Sequence, residues 1–111
     1  MEFKIVEATI QDLTSAFESG YTSTELVSRY LQRIATCDTR SQCLNSIVHL
    51  IPALFEEAAA ADERRTNGSF LGLLDGIPYL LKDSFKYQGM TVSAGSPAFR
   101  NLLSNEDAFL A

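Results

Sequence analysis

The sequence predicts an α/β fold built around a parallel pair of strands. Three observations carry that expectation. The elements legible along the chain run helix, helix, strand, helix, strand. Both strand segments are almost continuously apolar rather than alternating, which suits strands covered on two faces. The strand–helix–strand unit at the centre is the connection that parallel strands require.

Thr9-Ile10-Gln11-Asp12 opens the first helix as a capping box: the Thr9 hydroxyl can accept a free backbone N–H, and Asp12 can reach back to the Thr9 amide. Ile10, Leu13 and Phe17 then share a face, and Gly20 supplies a left-handed stop. Thr22-Ser23-Thr24-Glu25 repeats the start signal almost at once. Leu26, Val27, Tyr30, Leu31 and Ile34 form a broad apolar stripe on this second helix. The short link through Gly20 and Tyr21 predicts a sharp turn between the two.

The first strand is expected over 44–51, with Ile47, Val48, Leu50 and Ile51 interrupted at His49. Pro52 suits the first turn of a third helix over 53–65, where its missing N–H costs nothing. Leu54, Ala58 and Ala61 lie on one stripe of that helix, Arg64 and Arg65 favour its C-terminal dipole, and Asn67-Gly68 ends it. The second strand is expected over 77–81, bounded by Asp75-Gly76 and Lys82-Asp83. Two strands are few for a sheet covered on both faces, since stable sheets hold about four to six. Residues 82–111 are rich in turn formers and close on Asp107-Ala108 as though another helix were starting. The chain therefore reads as the opening of a larger domain, incomplete as it stands.

Composition narrows the function. Nine Lys and Arg against 14 Asp and Glu leave a net charge of −5, a poor balance for binding nucleic acid. Apolar residues at 46% and charged residues at 21% are ordinary globular usage. No run approaches the roughly 18 apolar residues of a membrane span. The N-terminus lacks the basic-then-apolar layout of a secretory signal, so a cytoplasmic chain is expected. Cys37, Cys43 and His49 do not make the paired spacings of a zinc site, so no metal or other cofactor is expected, and the two cysteines read as free thiols.

Lys82 is the candidate for chemistry. It follows 77–81 directly and so stands at a strand end, where ligands bind in open α/β sheets. In apolar surroundings burial penalises a charged ammonium and leaves an amine able to exchange protons. The plain alternative is a lysine that reaches water along its alkyl stem. Asp83 points to the other side and is expected to cap the following turn. The loop from Gly89 to Ser96 is small and hydroxyl-rich; it matches no phosphate or dinucleotide fingerprint and reads as a turn with Ser96 capping ahead of Pro97. His49 reads as a structural, hydrogen-bonded histidine within its strand, and no Gly-x-Ser-x-Gly elbow occurs. Glu56 and Glu57 face different directions and do not form a carboxylate pair.

The stretch Leu74-Asp75-Gly76-Ile77-Pro78-Tyr79-Leu80-Leu81-Lys82-Asp83, followed by Gly89-Met90-Thr91-Val92-Ser93-Ala94-Gly95-Ser96, resembles the opening block of the amidase signature family. Upstream, Thr22 to Ile34 is similar to the family's second helix, Leu44-Asn45-Ser46-Ile47-Val48 to its first strand, and Ala58 to Asp62 to its alanine-rich helix. Asp107-Ala108 resembles the start of its next helix. The likeness runs from about Ala8 onward and is nearest to fungal and bacterial amidases. It implies that residues 1–111 are the N-terminal portion of an amidase-signature domain with a mixed sheet. It further implies amide hydrolysis by a serine–serine–lysine triad with Lys82 as the lysine. In that mechanism a neutral lysine, acting through a serine in a cis peptide, takes the proton of a nucleophilic serine and later gives it to the leaving amine.

Both triad serines of the family come later than any residue here, and Ser84, Ser93 and Ser96 do not fill their places. The expectation is a truncated amidase, inactive alone, that acts on a small amide only when a companion chain or C-terminal remainder supplies the serines. The alternative is a non-catalytic interaction module that docks on a full-length relative or another partner.

Overall fold

The computed structural model describes residues 3–39, 44–69 and 71–109. The chain divides into two compact units, Met1–Pro78 and Tyr79–Ala111.

In the first unit both capping boxes close. The Thr9 N–H donates to Asp12 Oδ2 over 2.8 Å while the Asp12 N–H donates to Thr9 Oγ1 over 3.1 Å, opening α1 (Ile10–Glu18). The Thr22 N–H donates to Glu25 Oε2 over 2.8 Å and the Glu25 N–H to Thr22 Oγ1 over 3.0 Å, opening α2 (Ser23–Arg33). Each box satisfies donors that a first helical turn leaves without intrahelical partners. Gly20, at φ +98°, ends α1: its N–H bonds Phe17 O over 3.0 Å and the Tyr21 N–H bonds Ala16 O over 2.9 Å. This paired closure, with a left-handed residue that glycine adopts without strain, turns the chain straight into α2.

α3 (Leu54–Thr66) starts one residue later than expected, with Pro52 in the preceding turn and Ala53 at the cap position without a side-chain bond. It ends as predicted at Asn67-Gly68, where the Gly68 N–H bonds Arg65 O over 3.2 Å and the Ser69 N–H bonds Arg64 O over 2.8 Å. The buried apolar side chains of this unit are Leu13 and Ala16 from α1, Leu26 and Val27 from α2, and Ala58 and Ala61 from α3. Ile10, expected on the buried face, is exposed; Ala16 takes that place, and Phe17 lies half-buried with its ring centroid 3.9 Å from the Arg65 guanidinium carbon.

After Arg33 the helix widens into a π-helical turn, Ile34–Thr39, that the sequence did not announce. Its Asp38 is nearly buried and acts as an acceptor hub. Oδ1 takes the Ser46 hydroxyl and, over 2.7 Å, the Ser46 N–H; Oδ2 takes the Ile47 N–H over 3.1 Å. The Ser46 hydroxyl and N–H hold the Asp38 carboxyl below its ordinary value.

Neither predicted strand forms. Residues 44–51 and 77–81 carry no ladder, and β-pairing among the described residues is confined to one antiparallel bridge, Thr91 with Leu103. The helix order of the expected α/β fold is therefore present and its sheet is not. The physical reason is that a strand exists only as a pairing: its N–H and C=O groups need a neighbour, and no described segment offers one to either run. Several side chains meant to be covered are correspondingly exposed, with Tyr79 at 66% and Leu80 at 77%, while Ile47, Ile51, Ile77 and Leu81 are half-buried.

In the second unit the residues read as turn-like pair across themselves. The Ala108 N–H bonds Lys86 O over 2.8 Å, the Gly89 N–H bonds Ser104 O over 2.8 Å, and the Val92 N–H bonds Leu102 O over 2.9 Å. Lys86 pairs with Glu106, and Asp107 Oδ1 accepts the Gln88 N–H over 2.8 Å. Asp107 thus opens no helix through residue 109. Ser96 does precede Pro97 at the head of a short 3-10 turn, Pro97–Phe99, but its side chain makes no cap bond. Among the described residues no helix is long and apolar enough to cross a membrane.

Candidate functional site

Two polar clusters, one in each unit, bear on the candidate residues. In the first unit the centre is Asp62, on the third turn of α3. Its Oδ1 accepts the Ser23 N–H over 2.6 Å and Arg65 Nη1 over 2.8 Å; its Oδ2 accepts the Thr24 N–H over 3.1 Å and the Thr24 hydroxyl over 2.9 Å. Together with the Thr22 hydroxyl on the Glu25 N–H, every one of the first three N–H groups of α2 has an acceptor. Burial pushes the Asp62 carboxyl upward, but the Ser23 and Thr24 donors and Arg65 outweigh it and hold the group below its ordinary value.

Arg65 also donates from Nη2 to Ser23 Oγ over 3.0 Å. Beside it Arg64 grips Asp75 with two parallel bonds, Nε to Oδ2 over 2.9 Å and Nη2 to Oδ1 over 2.6 Å, while Asp75 accepts the Leu71 N–H over 3.0 Å. The Arg64 fork, ahead of every other contact, holds Asp75 down at about 2. Gly76 follows at φ +87°, packed so closely that a Cβ there would stand 2.3 Å from Ser23 Oγ and 2.5 Å from Arg65 Nη2. Gly76 is thus seated between α2 and α3, which fixes where 77–78 leave them.

In the second unit Lys82 is exposed, not sunk among apolar side chains as the strand expectation required. Its own carbonyl accepts the Phe85 N–H over 2.9 Å. Asp83 does not simply cap that turn. Its Oδ2 accepts the Ser93 hydroxyl over 2.6 Å and its Oδ1 accepts the Ser93 N–H at a long 3.5 Å, with the Ala94 and Gly95 N–H groups also turned to it. The Ser93 hydroxyl is the chief cause that lowers the Asp83 carboxyl. The loop read as a plain turn thus directs its donors at an internal carboxylate.

The remaining candidates carry less. His49 is exposed rather than held inside a strand, and Glu56 and Glu57 are both exposed on α3. Cys37 is a half-buried free thiol; Cys43 lies outside the described residues. Among the described residues no three His, Cys, Asp or Glu side chains converge as metal ligands. The contacts that join Asp62 and Arg65 to Ser23 and Thr24 were not legible in the sequence because these partners lie 38 to 42 positions apart. The one local signal was Gly76, a glycine ahead of an apolar run.

Residues 25–111 match the amidase family, a span that contains the whole Leu74-to-Ser96 block. A glutamyl-tRNA(Gln) amidotransferase subunit from Bdellovibrio bacteriovorus is 31% identical over 102 residues, covering 91% of this chain and 20% of that protein. An indoleacetamide hydrolase of Bradyrhizobium diazoefficiens is 33% identical over 98 residues, covering 87% of this chain and 18% of that protein. The X-ray structure of native peptide amidase from Stenotrophomonas maltophilia aligns with a TM-score of 0.91 at 38% identity, over 98% of this chain and 22% of that one. The chain spans about a fifth of the length of the curated relatives it matches.

Proposed function

The chain belongs to the amidase family, and from that premise we propose that it contributes the lysine of a serine–serine–lysine amide hydrolase, with Lys82 as the proton carrier. The observation that supports the reading is the family match over 25–111, a span that contains Lys82 and the Leu74-to-Lys82 stretch whose resemblance to the family implies that role. The neutral amine of Lys82 would take a proton, through a bridging serine, from a serine hydroxyl as that oxygen attacks the amide carbon. The same proton would pass to the nitrogen as the C–N bond breaks, and water would then release the acyl group.

The two serines come, on this reading, from residues outside 1–111, either in the same polypeptide or in a companion chain, and the setting is cytoplasmic. Residues 44–51 and 77–81 are strands of the completed sheet; the exposure of Leu44, Val48, Leu50, Tyr79 and Leu80 supports this, since these are side chains a neighbouring layer would cover. The isolated chain hydrolyses no amide. Joined in place of the matching 22% of the Stenotrophomonas maltophilia peptide amidase, it should restore peptide amidase activity, and Lys82→Ala should lower kcat by about 10³-fold. A folded chimera whose turnover ignores Lys82→Ala would sink the assignment.

The same exposed apolar side chains favour a second reading, a non-catalytic module that docks on a full-length relative. It is told apart by a chain that binds such a relative with or without Lys82 and alters none of its turnover.

A further inference from the structure

We propose that Asp83 is a positioning residue for Lys82, a step that rests on the reading of Lys82 as the proton carrier. Lys82 and Asp83 share a peptide unit, so whatever fixes the Asp83 side chain restrains the direction in which the Lys82 backbone presents its amine. The restraint has two anchors: the Lys82 carbonyl accepts the Phe85 N–H over 2.9 Å, and the Asp83 carboxylate accepts the Ser93 hydroxyl over 2.6 Å and the Ser93 N–H over 3.5 Å. Every partner in the loop is a donor. A carboxylate, which only accepts, satisfies them all; an amide would set its own N–H₂ against them. The charged acceptor also makes the Ser93 contact stronger than a neutral pair would. A lysine on a four-carbon stem has much orientational freedom to lose, and a fixed backbone beneath it removes part of that loss from the reaction.

The first test is amide hydrogen exchange in the 111-residue chain. Asp83→Asn should speed exchange at Ser93, Ala94 and Gly95 about tenfold, and Ser93→Ala, which keeps the carboxylate and removes one donor, should give a smaller increase. Unchanged exchange in both variants overturns the clamp. The second test is the peptide amidase chimera, in which Asp83→Asn should lower kcat about tenfold at unchanged KM, with Asp83→Glu recovering part of it. A raised KM at unchanged kcat, or no change in either, overturns the positioning role. Should chimera turnover ignore Lys82→Ala, the proton-carrier reading fails instead, and the exchange result alone decides the clamp.

Discussion

Ser23 and Asp62 meet across 39 positions of sequence, the Ser23 N–H donating to Asp62 Oδ1 over 2.6 Å. Ser23 is fully buried, so its N–H has no access to water as a substitute acceptor. Asp62→Ala should therefore cost about 2–3 kcal/mol, because it strands that donor and removes a charged partner from Arg65. Thr9→Ala, in an exposed capping box, should cost only about 1 kcal/mol. Urea midpoints of the two variants measure the difference; equal losses would show that Asp62 adds nothing beyond a local cap.

Gly76 is held to glycine twice, by φ +87° and by the 2.3 Å that would separate a new Cβ from Ser23 Oγ. Gly68, at φ +71°, has nothing within 4 Å of the same position. Gly68→Ala should cost about 1 kcal/mol for the backbone alone. Gly76→Ala should add about 1–3 kcal/mol, since buried Ser23 and the engaged end of Arg65 must both shift. Thermal midpoints settle it, and a Gly76→Ala loss no larger than the Gly68→Ala loss would mean that the Asp62–Arg65–Ser23 contacts yield freely.

These two residues also mark the limit of what the sequence disclosed. The boxes at Thr9 and Thr22 and the glycine ends at Gly20 and Gly68 were legible because each is complete within a few residues. The Asp62 cap on α2 was not, because nothing at Asp62 or Ser23 alone specifies a partner so distant. The runs at 44–51 and 77–81 were expected as strands and neither pairs, because apolar patterning states only that a segment would pair if offered a neighbour. Lys82 stood out only as a candidate, from its place after such a run, and with no neighbouring strand it is exposed here. Asp83 was read one turn too locally: its donors lie at Ser93, ten residues on.

Asp75 gives the first unit an acid limb. Its folded value, held at about 2 by the Arg64 fork, lies below the ordinary 3.8. A depressed carboxyl contributes stability above the unfolded value and loses it as the pH falls toward the folded one, so the window is about pH 4 to 2. The loss should reach about 1–2 kcal/mol. Asp75→Asn should remove most of that limb and lower stability at pH 7. A melting curve recorded from pH 7 to pH 2 tests both, and an acid limb unchanged in Asp75→Asn would assign it to Asp62 and Asp38 instead.

Leu73 and Leu80 are 79% and 77% exposed, a costly way to keep leucine unless another layer covers them. A charge at either site meets opposite demands in the two states. In the isolated chain Leu73→Glu and Leu80→Lys should raise the concentration at which aggregation begins, because each breaks up apolar surface. In the peptide amidase chimera the same changes should destabilise by about 3 kcal/mol or more, the cost of forcing an unpaired charge under a packed layer. Light scattering of the chain and thermal unfolding of the chimera provide the two readouts. A chimera that tolerates both charges at full stability would show that these leucines face water in the whole fold as well, and would remove the main support for 77–81 as a covered strand.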